Sequence, residues 1–199
     1  FCTLLACHFV APGKNTASCV NFALGHLMSV TALNGVLYSW ERRETRAAVL
    51  RALNAVCDED GAPRAEPDDL NYLYTVARNP KLAGDSMVLV GVARALRVLL
   101  RRPHNRGQRS ELAVRAVVSL LDSGVRAREA TALTEAGYTL LQCLDSPDNL
   151  VAAYDAVPHT CAALLVPSPE VHLVGCACIQ ALCALPLARE AVATCGGVE

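Results

Sequence analysis

Aromatic residues are scarce in this 199-residue chain: three Phe, one Trp and five Tyr make up 5% of it. A β-sandwich core built on large rings is therefore disfavoured, and small aliphatic side chains must do the packing. Charge of one sign is lacking as well. Eighteen Lys and Arg stand against nineteen Asp and Glu, so no long-range field pulls the chain toward nucleic acid or an anionic membrane. C-x-x-C pairs, a Gly-rich phosphate loop, a dinucleotide-binding fingerprint and paired metal-ligating histidines are all missing. No metal, cofactor or small-molecule substrate is expected, and an enzyme is not.

Long charge-free runs are few. Thr16 to Trp40 carries no Asp, Glu, Lys or Arg, but Asn21, Gly25, His26, Asn34 and Gly35 suit two short packed helices better than a bilayer span. Val171 to Ala188 is short for a span and is interrupted by Pro186. Neither run is read as transmembrane.

What is abundant is alanine, leucine and valine within a 53% hydrophobic composition, enough for a continuous core of closely packed helices. The expected class is all-α. Ala52-Leu53, Ala95-Leu96, Leu140-Leu141 and Ala181-Leu182 each lie near the end of a long apolar stretch, and their leucines 53, 96, 141 and 182 are 43, 45 and 41 residues apart. That period is the one of two- or three-helix solenoid repeats. A single domain over 1–199 follows, with units at about 11–57, 68–105, 110–156 and 157–199, read as a segment of a longer chain.

Helices are expected from about Asn15 to Tyr38 and over Glu41 to Val56, where Val49, Leu50, Leu53 and Val56 keep helical spacing. The stretch 57–67, "CDEDGAPRAEP", is an irregular loop. Further helices are expected over Asp68 to Ala77, from a cap at Asp85 or Ser86 to Leu100, Ser110 to Leu121, Val125 to Leu144, Asn149 to Ala156, Val157 to Leu165 and Glu170 to Leu185, with a short last one ending at Gly196-Gly197.

The ten cysteines sit mostly inside apolar helical stretches, which suits reduced thiols packing as small hydrophobes better than a disulfide framework. That usage points to an intracellular, cytoplasmic setting. Cys176 and Cys178 diverge by about 200° on a helix, so they do not form one metal site. His159 and Cys161, two apart, do not face each other as a nucleophile and base. Gly84-Asp85-Ser86 opens a helix and is read as a cap, not a nucleophile block.

The run Asp155 to Glu199, with a Val-Pro lead into a second helix, Ser-Pro-Glu-Val turning into a long third helix, and Arg-Glu-Ala-Val ending in Gly-Gly-Val, resembles the armadillo repeat. The units before it fit more loosely, and the first half is equally HEAT-like. The resemblance implies a right-handed superhelical α-solenoid, with long helices lining a concave groove where better-known members hold extended peptides on ladders of asparagine and tryptophan. Here the asparagine slots fall on Ala55, Val98, Cys143 and Ala184, and the tryptophan slots on Arg51, Arg94, Thr139 and Gln180. Capture of a basic peptide is thus disfavoured. Arg51 and Arg94, if they face the groove, would instead pair with carboxylates of an acidic partner segment. The plainer alternative makes them solvated arginines of amphipathic helices, whose surface pairs contribute little.

One compact basic patch, Arg101, Arg102, His104, Arg106 and Arg109, lies between helices. It suits RNA phosphates but lacks interleaved aromatics for stacking, and a solvated loop is the simpler reading. The expected function is a non-catalytic protein-interaction or structural scaffold, with cytoskeletal or ciliary assemblies as one setting. The alternative is a helical-repeat component of a ribonucleoprotein.

Overall fold

The computed structural model describes residues 67–79 and 85–195, and these are helical with no strand among them. The eight α-helices are α1 (Pro67–Ala77), α2 (Ser86–Arg101), α3 (Glu111–Ala127), α4 (Ala130–Cys143), α5 (Pro147–Ala152), α6 (Ala156–Ala163), α7 (Pro169–Leu182) and α8 (Pro186–Thr194). Short 3-10 turns cover Pro103–Gln108 and Ala153–Asp155. The expected helices at 15–38 and 41–56, the irregular loop at 57–67 but for its last residue, Arg51 and the terminal Gly-Gly lie outside the described residues.

Each long helix forms for local reasons. Asp85 caps α2 by accepting from the Val88 N–H, and Val88, Leu89, Val92, Leu96, Leu99 and Leu100 then fall on one wholly buried face. Ser168 caps α7 in the same way through the Val171 N–H. Prolines read in sequence as breaks open the next element, because the first helical position needs no N–H: Pro67, Pro103, Pro147, Pro169 and Pro186 all stand there or one residue on.

The helices pack in two rows. In one, α2 lies against α4 and α4 against α7; in the other, α1 lies against α3, α3 against α6 and α6 against α8. The rows touch through α1 with α2, α2 and α4 with α3, and α7 with α6 and α8, and one continuous apolar core runs between them. Close approach is possible because of small residues. A Cβ on Gly137 of α4 would stand 2.9 Å from Val174 Cγ2 of α7, and the Cys178 thiol donates to the Gly137 carbonyl at 3.3 Å.

Several expected boundaries move. The break placed after Leu121 is absent: α3 continues through Ser123 and Gly124, both buried, where the missing side chain of Gly124 leaves room for Leu133. The helix ends instead at Arg128, which adopts the left-handed conformation at φ 51°. Its N–H bonds to the Val125 carbonyl and the Glu129 N–H to the Gly124 carbonyl, the paired bonds of a Schellman end without the usual glycine. The charge-free run 171–188 divides into α7 and α8 at Pro186. No helix among the described residues is long and apolar enough to cross a membrane.

The register of the recurrence also differs from the Ala-Leu spacing. Pro103, Pro147 and Pro186 each follow a long helix of the first row, 44 and then 39 residues apart, and four residues before them stand Leu99, Cys143 and Leu182, all fully buried. Leu140, not Leu141, is the fully buried counterpart of Leu96. In this register Arg94 corresponds to Tyr138, one position before Thr139.

Candidate functional site

Two arginines of α2 converge on one carboxylate of α4. Arg94 and Arg97, three residues apart and so on one helix face, meet Glu135: Arg97 Nη1 is 2.8 Å from Oε2, and Arg94 Nε is 3.6 Å from Oε1. The Glu135 side chain keeps only 11% of its exposure, while Arg94 keeps 43% and Arg97 31%. Arg97 also places its guanidinium carbon 4.5 Å from the centroid of the Tyr138 ring, one turn along α4 from Glu135. Arg101, exposed, continues the α2 strip one turn beyond Arg97. The matching α4 strip continues from Tyr138 to Gln142, whose buried Oε1 accepts no hydrogen bond among the described residues.

This arrangement holds its cations in place. A carboxylate this enclosed requires partners, and Arg97, fixed between it and a ring, has little side-chain freedom left to lose when a second anion approaches. Two cations on one anion, with a third cation adjacent, leave the strip positively charged at its open side.

The other expected positions are placed differently. Thr139 is fully buried and its hydroxyl donates to the Glu135 carbonyl at 2.8 Å, so it faces the core. Gln180 is exposed on α7. Glu135 and Tyr138, which complete the cluster with Arg94 and Arg97, carry no local signal in sequence, since only the packing of α2 on α4 brings residues 38 to 41 positions apart together.

The basic loop is a junction more than an open patch. Arg109 donates from Nε to the Leu100 carbonyl at 2.9 Å and from Nη1 to the Gln142 carbonyl at 3.1 Å, and pairs with Asp145 at 2.8 Å. It thereby joins the C-terminal ends of α2 and α4, where carbonyls point outward and favour a cation. Arg101, Arg106 and His104 are exposed, whereas Arg102 is partly buried. Asn105 and Asn149, both buried, and the Tyr74 hydroxyl, which donates to the Gln108 carbonyl at 2.9 Å, complete the junction. The signal that points to it in sequence is Pro-x-Asn, present at 103–105 and again at 147–149.

Of the thiols, Cys143, Cys161 and Cys178 are buried, Cys183 is half-buried, and Cys176 and Cys195 are exposed. Burial pushes the Cys143 and Cys178 thiols up to about 12 and Cys161 up to about 11. His159 turns toward α3, with Nδ1 3.6 Å from Asp122, while Arg126 pairs with the same carboxylate at 2.6 Å. No group of three metal-ligating side chains assembles among the described residues.

No protein-family model matches the chain, and neither a curated protein nor a solved structure is significantly similar to it.

Proposed function

We propose that this chain is a non-catalytic protein-interaction scaffold, an armadillo-like α-solenoid that holds an acidic segment of a protein partner against the open side of α2 and α4. The observation that carries this reading is the excess of guanidinium over carboxylate at Arg94, Arg97 and Glu135, prolonged by Arg101. Glu135 presets the two arginines, so an incoming carboxylate meets forks already oriented for paired hydrogen bonds.

The solenoid is supported by the two rows of helices, in which successive members of a row are neighbours, and by the recurrence of Pro103, Pro147 and Pro186 at the same place after each long helix. The cytoplasm suits the six free cysteines of the described residues. Arg109, tied to two helix ends and to Asp145, is not spare for phosphate, which weighs against the RNA reading.

The test is fluorescence anisotropy with a labelled polyglutamate peptide. Saturable binding is expected that weakens with salt and falls about 2–5-fold in Arg94→Gln and again in Arg101→Gln. Arg115→Gln, on the exposed side of α3, leaves it unchanged. Equal binding by all three variants sinks the reading. Stronger binding of an oligouridine that is lost in Arg106→Gln favours the ribonucleoprotein alternative.

A further inference from the structure

The open side of the first row is basic at one end only. On α2 the strip runs Met87, Val90, Arg94, Arg97 and Arg101, none of them buried, and it is cationic from Arg94 onward. Beyond it the surface loses that charge: α4 contributes Tyr138 and Leu141, both partly buried, and α7 contributes Leu173 and Ala177.

Two contacts fix the way α7 faces. Val174 meets α4 at Gly137, and Gly175 meets Leu164, which follows α6 of the second row. Successive residues of a helix are turned by about 100°, so Leu173, on the other side of Val174 from Gly175, points away from the second row. The same order holds on α4, where Gly137 stands between buried Ala136 and partly exposed Tyr138. Leu173 therefore shares a surface with the arginines, two helices away, and it is 68% exposed there. Three residues before it Glu170 is exposed as well, its carboxylate accepting from the Ser168 hydroxyl at 3.0 Å. An acidic residue is thus attracted at α2 and repelled at α7.

We infer that the segment held on this surface has two parts: carboxylates that meet Arg94 and Arg97, and a large aliphatic residue that covers Leu173. The inference rests on the acidic-segment reading and adds an apolar anchor to it. Packed helices stand about 8–10 Å apart, which puts α2 and α7 roughly 16–20 Å from each other. An extended chain covers that distance in about five to six residues at ~3.3 Å each, and this uncharged stretch crosses Tyr138 and Leu141. Carboxylates alone fit many acidic chains, whereas an aliphatic residue at a set distance from them narrows the choice.

Fluorescence anisotropy on the whole chain tests this with three labelled peptides: a triglutamate joined by a serine spacer of about five residues to two leucines, the same sequence reversed, and a control with serines in place of the leucines. One of the leucine peptides, in whichever chain direction fits, is expected to bind about 5–10-fold tighter than the control. In Leu173→Ser that advantage disappears, and in Arg94→Gln both peptides weaken about 2–5-fold. Leu187→Ser, equally exposed but on α8 of the second row, changes neither. Equal binding of leucine and serine peptides, or an advantage that survives Leu173→Ser, overturns the anchor and leaves the acidic-segment reading standing. Failure of all three peptides overturns the inference, and failure of polyglutamate with them overturns that reading too. Self-association of the chain that is lost in Leu173→Ser, read by sedimentation, would place a second copy on Leu173 and overturn the inference as well.

Discussion

Asn105 and Asn149, 44 positions apart, make the same bond. Each donates from Nδ2 to the carbonyl six residues before it, Asn105 to Leu99 at 3.0 Å and Asn149 to Cys143 at 2.9 Å. Each thus closes the C-terminal end of a long helix whose last carbonyls have no partner within the helix. Asn149 also donates to the Arg109 carbonyl at 2.7 Å, so it ties the end of α4 to the segment that follows α2. In the last unit Ala188 stands where the asparagine would, and Arg189 supplies the bond to Cys183 instead.

Asn149→Ala removes a donor from the Arg109 carbonyl and from that of Cys143, which keeps the Ser146 N–H at 3.4 Å, and Asn105→Ala removes one from Leu99, which keeps the Arg102 N–H at 3.2 Å. We expect losses of about 2–3 and about 1–2 kcal/mol, respectively. Urea unfolding monitored by circular dichroism measures both. A larger loss at Asn105 than at Asn149 would show that the bond to Arg109 contributes nothing.

Arg97 and Arg94 differ in their hold on Glu135. Arg97→Ala leaves a nearly enclosed carboxylate with only the 3.6 Å contact to Arg94, and we expect a loss of about 1–3 kcal/mol. Arg94→Ala removes the longer, more exposed pair and costs under about 1 kcal/mol. Replacing Arg97 and Glu135 together by leucine recovers much of the loss, because no buried charge is stranded. Denaturation midpoints of the three variants decide this, and the reverse order of the two arginines would contradict it.

Cys143 and Cys178 make stability depend on alkaline pH. Their thiols, at 9.0 when unperturbed, are raised to about 12 by burial, so the folded chain holds protons that the unfolded chain has released. The stabilisation is complete below pH 9 and is lost as pH climbs from 9 toward 12, at about 1.4 kcal/mol per pH unit for each thiol. We expect unfolding free energies measured between pH 8 and pH 10.5 to fall less steeply in Cys143→Ala/Cys178→Ala than in the parent chain. Parallel slopes would rule out the thiols as the cause.

How much of this was legible in sequence depends on how far apart the interacting residues lie. The helix over 86–101 is readable because Asp85 and eight buried apolar side chains lie within a few turns of one another. The all-helical class follows from similar local patterns. The end of α3 is not readable, since Gly124 looks like a helix stop until Leu133 is seen packed on it, and Arg128 gives no hint that it adopts a left-handed conformation. The recurrence is visible as a period, but its register is set by buried positions such as Leu99 and Cys143, which an Ala-Leu pattern misplaces by one to three residues. Arg94 was legible as a cation on a helix face. Its pairing with Glu135 depends on the axial offset of α2 against α4, which no local pattern encodes.

Arg128 offers a stabilising change. It sits at φ 51° with an exposed side chain, a conformation that costs a residue with a Cβ roughly 1 kcal/mol and costs glycine none. Arg128→Gly keeps both bonds of the Schellman end and should raise stability by about 0.5–1 kcal/mol, seen as a higher melting temperature. No gain would mean that the α3–α4 turn relaxes to a different geometry in solution.

Gly137 lets α4 approach α7 closely at Val174. Alanine there gains up to about 1 kcal/mol of helix propensity, yet its methyl would stand 2.9 and 3.1 Å from the two Val174 methyls, and the valine, buried at 3% exposure, has little room to yield. The overlap should prevail, for a net loss of about 1–2 kcal/mol, and the displaced α4 carbonyl would weaken its bond from Cys178. Gly107→Ala, where nothing lies within 4 Å, should be close to neutral. The decisive variant is Gly137→Ala/Val174→Ala, which moves the missing volume from one helix to the other. If it recovers stability relative to Gly137→Ala, the two helices touch through this pair; if the two changes simply add, α4 and α7 do not meet there.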